Sequence, residues 1–378
     1  MTQPGIQMVD LHTQYQRFAS ELEAAFAGIL ESTAFINGPE VKAFQQALEA
    51  YLEVDHVIPC ANGTDALQIA LMALELEPGD EVIVPAFTFV ASVEVIGLLG
   101  FTPVVIDVDP DTFNMDVSQL EALITGRTRA IMPVHLFGQC CDMESILQIA
   151  SKHDIKVVED NAQSIGAQYT FGNGRVAYSG TMGEIGTLSF YPSKNLGCYG
   201  DGGALMSNDE RLAAEMRSIC NHGMIRRYYH DRLGVNSRLD SFQAAVLRIK
   251  LQYLDEYVRA RQAAAAHYDG RLAGLTGIKI PTRAERSTHV FHQYTLQVKD
   301  GHRDALKEYL QEHGIPSMIY YPVPLQEQKA FRELVRTPVS LEHTNDLCQR
   351  VLSLPMHTEL SADQLDHICD TIEAYFAQ

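Results

Sequence analysis

Basic residues are scarce in this chain: 29 lysines and arginines stand against 48 acidic residues, a formal charge of −19. A surface of that sign argues against general binding to nucleic acid or anionic membranes, although an acidic whole can still hold a basic pocket. The seven cysteines, at 60, 140, 141, 198, 220, 348 and 369, make no C-x-x-C pair and no zinc spacing. No metal site is expected, and reduced thiols of a cytoplasmic protein are the simplest reading. No apolar run is long enough to span a bilayer, and the opening Met1-Thr-Gln-Pro-Gly-Ile-Gln-Met8 lacks the basic and apolar regions of a signal peptide. Internal repeats and low-complexity tracts are missing too.

What is present is ordinary soluble-protein composition, 46% hydrophobic and 20% charged over 378 residues, enough for a sizeable core. The stretch to about residue 53 reads as helices, over 14–30 and from Gly38-Pro39 to Tyr51. Short apolar runs follow at 82–85, 104–107, 130–135, 156–160 and 186–190, separated by helix-length segments, with another at 203–207. That alternation predicts an α/β fold with a mostly parallel sheet covered on both faces. Residues 242–268 read as one long helix linking to a smaller lobe, in which 291–298 alternates like a half-exposed strand and 303–313 and 360–377 read as helices. We expect a large domain over residues 1–245 and a small α+β domain over 246–378.

Three chemical groups stand at strand ends. Asp160 closes the run Lys156-Val-Val-Glu-Asp160, and Ser189 stands near the end of the run Gly186-Thr-Leu-Ser-Phe190 before Lys194, which sits in a glycine-rich loop ending Gly200-Asp-Gly-Gly203. An amine for a Schiff base, a carboxylate for a ring nitrogen and donors for a phosphate are what pyridoxal phosphate requires. Gly63 and Thr64 open a helical run and are phosphate-cup candidates, since glycine admits close backbone approach and a helix N-terminus favours an anion. Phe87 is the favoured cover for the ring face, with Phe89 the alternative.

A lone lysine in such a loop is commonly a solvated side chain, and a lone strand-end aspartate a cap or turn residue; their conjunction in order with Gln163 and Ser189 reverses that judgement. Gly172-Asn-Gly174-Arg-Val-Ala177 matches a loose dinucleotide pattern, but a weak strand precedes it and no clear helix follows, so a hairpin or turn is expected. Arg226, Arg227, Arg232 and Arg238 crowd a region holding Tyr228 and Tyr229, a composition suited to a diphosphate and a stacked base or sugar, or equally to an exposed loop.

Together these segments, with Pro85-Ala-Phe-Thr-Phe89, Asn221-His-Gly223, Gly234-Val-Asn236-Ser-Arg238 and Tyr320-Tyr-Pro-Val-Pro324, resemble the DegT/DnrJ/EryC1/StrS family of sugar aminotransferases over nearly the whole chain. The resemblance implies the fold-type I architecture, with a seven-stranded sheet in the large domain. It also implies that Lys194 carries the Schiff base, Asp160 pairs the ring nitrogen, Gln163 bonds the ring hydroxyl, Ser189 helps hold the phosphate, and Asn236 reaches that phosphate from the neighbouring subunit of a homodimer. The substrates it implies are an amino donor, glutamate, and a nucleotide-linked keto sugar, with Arg226, Tyr228, Tyr229, Tyr320 and Tyr321 as substrate-facing candidates. Amination at C3 is favoured, C4 remains open, and a catalytically silent sensor or scaffold is the reading from another class. Many relatives carry a histidine after the Pro-Leu of the substrate loop, where this chain has Gln326; no general acid or base is assigned there.

Overall fold

The computed structural model describes residues 5–377. Its large sheet is built from β1 (His56–Cys60), β2 (Glu81–Pro85), β3 (Thr102–Ile106), β4 (Thr128–Ile131) and β5 (Lys156–Asp160). After a hairpin of β6 (Gln168–Thr170) and β7 (Val176–Tyr178), β8 (Ile185–Ser189) and β9 (Gly203–Ser207) complete it. The order is β1-β9-β8-β5-β4-β2-β3. β9 runs antiparallel to both its neighbours, while the remaining pairs are parallel.

Alternation along the strands feeds two cores. Val82 and Val84 of β2 pack on one face, while Ile83 between them packs on the other. The first face is covered by α4 (Gly63–Ala73), α5 (Ala91–Leu98) and α8 (Glu210–Ile219). Helices α1 (Leu11–Gln16) and α2 (Ala19–Ser32) lead into α3 (Pro39–Leu52), and α6 (Leu120–Leu123) precedes α7 (Met143–His153). α3 and α7 cover the second face. Burial on both sides explains why these strands read as unbroken apolar runs.

A hairpin of β10 (Met224–Arg226) and β11 (Tyr229–His230) precedes α9 (Ser241–Leu251) and α10 (Leu254–Leu272). Beyond them β12 (Ile278–Lys279), β13 (Tyr294–Val298) and β14 (Val351–Leu354) form a three-stranded antiparallel sheet. It packs with α10, α11 (Arg303–Glu312) and α13 (Ala362–Phe376) around its own core of Tyr268, Leu296, Leu310, Leu352 and Ile368. α12 (Glu342–Arg350) leads into β14.

Several expectations need correction. The helix read over 242–268 is two helices, broken at Gln252 and Tyr253, because α9 buries Leu247 and Leu251 with the large-lobe residues whereas α10 turns Ala265 and Tyr268 into the smaller core. The helix over 14–30 is broken at Phe18, whose ring is buried against Tyr253. The strand expected over 291–298 begins only at Tyr294: Phe291 has φ 48°, and Arg261 collects the carbonyls of Phe291 and His292. The loose dinucleotide match is the turn of the β6–β7 hairpin. Strands β1, β10, β11, β12 and β14 and helices α8 and α12 escaped the sequence reading.

Candidate active site

The C-terminal ends of β1, β2, β5 and β8 point to one edge of the sheet, where open α/β sheets form ligand crevices. A cavity of about 550 Å3 lies there. Asn62 caps α4 by accepting from the Asp65 backbone N–H at 2.8 Å, which leaves the amides of the first helical turn, Gly63 and Thr64, facing the crevice. Gly63 is required by contact: a Cβ there would stand 2.6 Å from the Ser189 Cβ. Helix start and strand end thereby make a cradle of backbone amides and two hydroxyls, from Thr64 and Ser189, matched to an anion.

Lys194 and Asp160 line the same cavity. Burial pushes the Lys194 amine down to about 8, with the charge of Asp160 pulling it back up. The Asp160 carboxylate accepts from the Ala162 backbone N–H at 3.1 Å and from the Ser92 hydroxyl at 2.9 Å. Gln163 is oriented by the Phe137 backbone N–H, which donates to its Oε1 at 2.8 Å; its Nε2 then donates to the Tyr321 hydroxyl at 3.1 Å. Burial raises the Tyr321 phenol above its ordinary range, so it stays protonated and keeps a proton to give.

Of the residues singled out by sequence, Gly63, Thr64, Asp160, Gln163, Ser189, Lys194, Tyr320 and Tyr321 therefore converge on one cavity. Phe87 does not line it. Its ring is 1% exposed, packed against Phe113, Phe137 and Tyr321, while Phe89 lines the opening at 52% exposure. Arg226, Tyr228 and Tyr229 also lie outside the cavity of their own chain. They stand on the exposed β10–β11 hairpin, with Arg226 stacked 3.6 Å over Tyr229 and Arg227 5.1 Å over Tyr228. Asn236 bridges Asn221, beside Ser237, whose hydroxyl accepts from Ala61. Gln326 donates to Asn345 and does not line the cavity.

The donor set fits pyridoxal phosphate: an amine, a carboxylate, an oriented amide and an anion cradle share one space. Thr88, 2% exposed and on the cavity wall, has a hydroxyl without a hydrogen-bond partner among the described residues, as expected of a site shaped for a polar ligand. Sequence reasoning missed Ser92, and assigned no site role to His292 or Gln293 individually, which also line the cavity. Ser92 had a signal, a hydroxyl in the apolar run Val90-Ala-Ser-Val, since a buried hydroxyl needs a partner. His292 is held neutral by burial, with Lys194 and Arg261 adding to the effect. No cluster of metal-ligating residues occurs among the described residues, and no helix among them is long and apolar enough to cross a membrane.

Comparison with known proteins agrees with this geometry. Residues 16–373 match the model of the DegT/DnrJ/EryC1/StrS aminotransferase family. The chain is 44% identical to a UDP-2-acetamido-2-deoxy-3-oxo-D-glucuronate aminotransferase of Pseudomonas aeruginosa, covering 96% of this chain and 98% of that one. It is also 44% identical to a UDP-N-acetyl-3-dehydro-alpha-D-glucosamine 3-aminotransferase of Acidithiobacillus ferrooxidans, covering 98% of both. The crystal structure of a DegT DnrJ EryC1 StrS aminotransferase from Brucella abortus superposes with TM-score 0.94 at 42% identity, over 99% of this chain and 100% of that one. The chain belongs to the DegT/DnrJ/EryC1/StrS aminotransferase family.

Proposed function

We propose that this protein is a pyridoxal-phosphate-dependent transaminase that moves an amino group from glutamate to the C3 keto carbon of a nucleotide-linked sugar, for aminosugar or glycan assembly. The observation that carries the reading is the meeting of Lys194 and Asp160 in one cavity beside the Gly63–Ser189 cradle. Pyridoxal phosphate, when bound, supplies the aldehyde and electron sink that let an amino group pass between two keto compounds. Lys194 would anchor it covalently. With its amine held down to about 8, Lys194 is partly neutral near neutral pH and would also serve as the base that takes up and returns a proton beside the cofactor. Asp160 would pair the ring nitrogen, and Gln163, its oxygen already engaged by Phe137, would donate to the ring hydroxyl. Gly63, Thr64 and Ser189 would hold the phosphate, and Phe89 in place of Phe87 would cover the ring. Tyr320 and Tyr321 supply hydroxyls to the substrate side.

No arginine lines the cavity of the single chain, yet both proposed substrates are anionic. This supports a homodimer in which Asn236 and the exposed hairpin bearing Arg226, Tyr228 and Tyr229 reach the partner's site. Two lobes, residues 1–245 and 246–378, would then frame each cavity. C3 is favoured over C4 because both sugar aminotransferases described above are named for 3-keto substrates. Incubation with glutamate and a panel of 3-keto and 4-keto nucleotide sugars, with the position of the new amine read by NMR, tests the reading. A 3-amino product is expected; a 4-amino product overturns the regiochemistry, and no amine from any member overturns the sugar substrate.

A further inference from the structure

We infer that Ser92 is a positioning residue for Asp160, holding its carboxylate where a cofactor ring nitrogen meets it and tying it to the loop that carries Phe89. Ser92 is wholly buried at the second position of α5. Its hydroxyl has one proton and two acceptors within reach, Asp160 Oδ2 at 2.9 Å and the Phe89 carbonyl at 3.4 Å. The nearer acceptor is a carboxylate, and hydrogen bonds to carboxylates are the stronger ones, so the proton goes to Asp160. The backbone of Asp160 is fixed on both sides, its N–H donating to Pro133 and its carbonyl accepting from His135. Side-chain rotation is the freedom that remains. Ala162 holds Oδ1 alone and would let Oδ2 swing; the Ser92 hydroxyl, wholly buried at a helix start, removes that motion. The loop between β2 and α5 thus serves the ring at its face through Phe89 and at its edge through Ser92.

This inference rests on the transaminase reading, and its test separates the two. The holoenzyme is prepared with pyridoxal phosphate labelled with nitrogen-15 in the ring, as wild type, Ser92→Thr, Ser92→Cys and Ser92→Ala, and the ring nitrogen resonance is recorded at saturating cofactor. Ser92→Thr keeps the donor and should leave the resonance near its wild-type position. Ser92→Ala should move it toward the value of a neutral pyridine and raise the cofactor dissociation constant about tenfold, the size of a lost hydrogen bond to a charged group. Ser92→Cys, a weak donor of similar size, should fall between them, which a packing effect alone would not produce. An unmoved resonance in Ser92→Ala and Ser92→Cys, with cofactor fully bound, overturns the positioning role. A wild-type protein that binds no labelled cofactor overturns the transaminase reading itself.

Discussion

A lysine amine taken out of water loses solvation that its charged form needs more than its neutral form, and this accounts for the depressed proton affinity of Lys194. No other lysine lines the cavity. Lys194→Ala should therefore abolish turnover, the visible absorption of the bound cofactor and its borohydride-reducible attachment, while circular dichroism stays unchanged. A reducible adduct surviving in that variant would give the anchoring role to another amine. At this scale the sequence was most legible where a residue type is chemically irreplaceable. Lys194, Asp160 and Gln163 stood out as candidates because few side chains suit that chemistry, and the fold brings all three to one cavity. Phe87 and Phe89 are chemically alike and two residues apart, so only the packing of Phe87 against Phe113 and Phe137 separates the buried ring from the one at the opening.

Elements hold the site in place by serving one another's ends. α12 begins after Leu341, which offers no side-chain cap; Asp107, just past β3 and 1% exposed, does the capping instead. Its carboxylate accepts from the backbone N–H groups of His343 and Thr344 at 2.9 and 2.8 Å and from the Thr344 hydroxyl at 2.7 Å. Asp107→Ala strands these buried donors and should cost about 2 kcal/mol, read as a lower urea midpoint, with Asp107→Asn losing less. Periodicity in the sequence could not show such a cap, because its partners lie more than two hundred positions apart. The same limit explains the breaks at Phe18 and at Gln252: each flanking segment reads as helix, and only the direction of the cores it must reach decides where the axis turns.

For the whole molecule, three of the buried histidines contribute to the response to acid. Burial, aided by Arg283, lowers His289 to about 3; burial, aided by Arg261, lowers His357 to about 4; burial, with Lys194 and Arg261, takes His292 well below its ordinary value. The unfolded chain binds protons at these side chains below about pH 6.5, and the folded chain does not. Their share of stability is therefore complete above pH 6.5 and falls by about 1.4 kcal/mol per pH unit per histidine down to the folded-state values. Urea titrations at successive pH values between 6.5 and 4.5 should show that slope, and His289→Gln should flatten it by one proton. The proposed dimer has its own test. Asn236→Ala should weaken cofactor binding by about 2 kcal/mol, as for a hydrogen bond to a charged group. Mixed with inactive Lys194→Ala at limiting cofactor, it should regain activity, since a heterodimer would hold one site with both defects and one with neither. Demonstrated subunit exchange without recovered activity would remove Asn236 from the neighbouring site.

The class of fold was legible in apolar runs long enough only for strands covered on both faces, and the candidates for the reacting groups in side chains with few chemical substitutes. Which aromatic ring reaches the cavity, that Ser92 braces Asp160, that Asp107 caps α12, and that Gln326 hydrogen-bonds Asn345 were settled by the folded arrangement alone. Those outcomes depend on hydrogen bonds and packing between residues far apart in the chain, and a local pattern holds no information about which distant partner will satisfy a buried polar group.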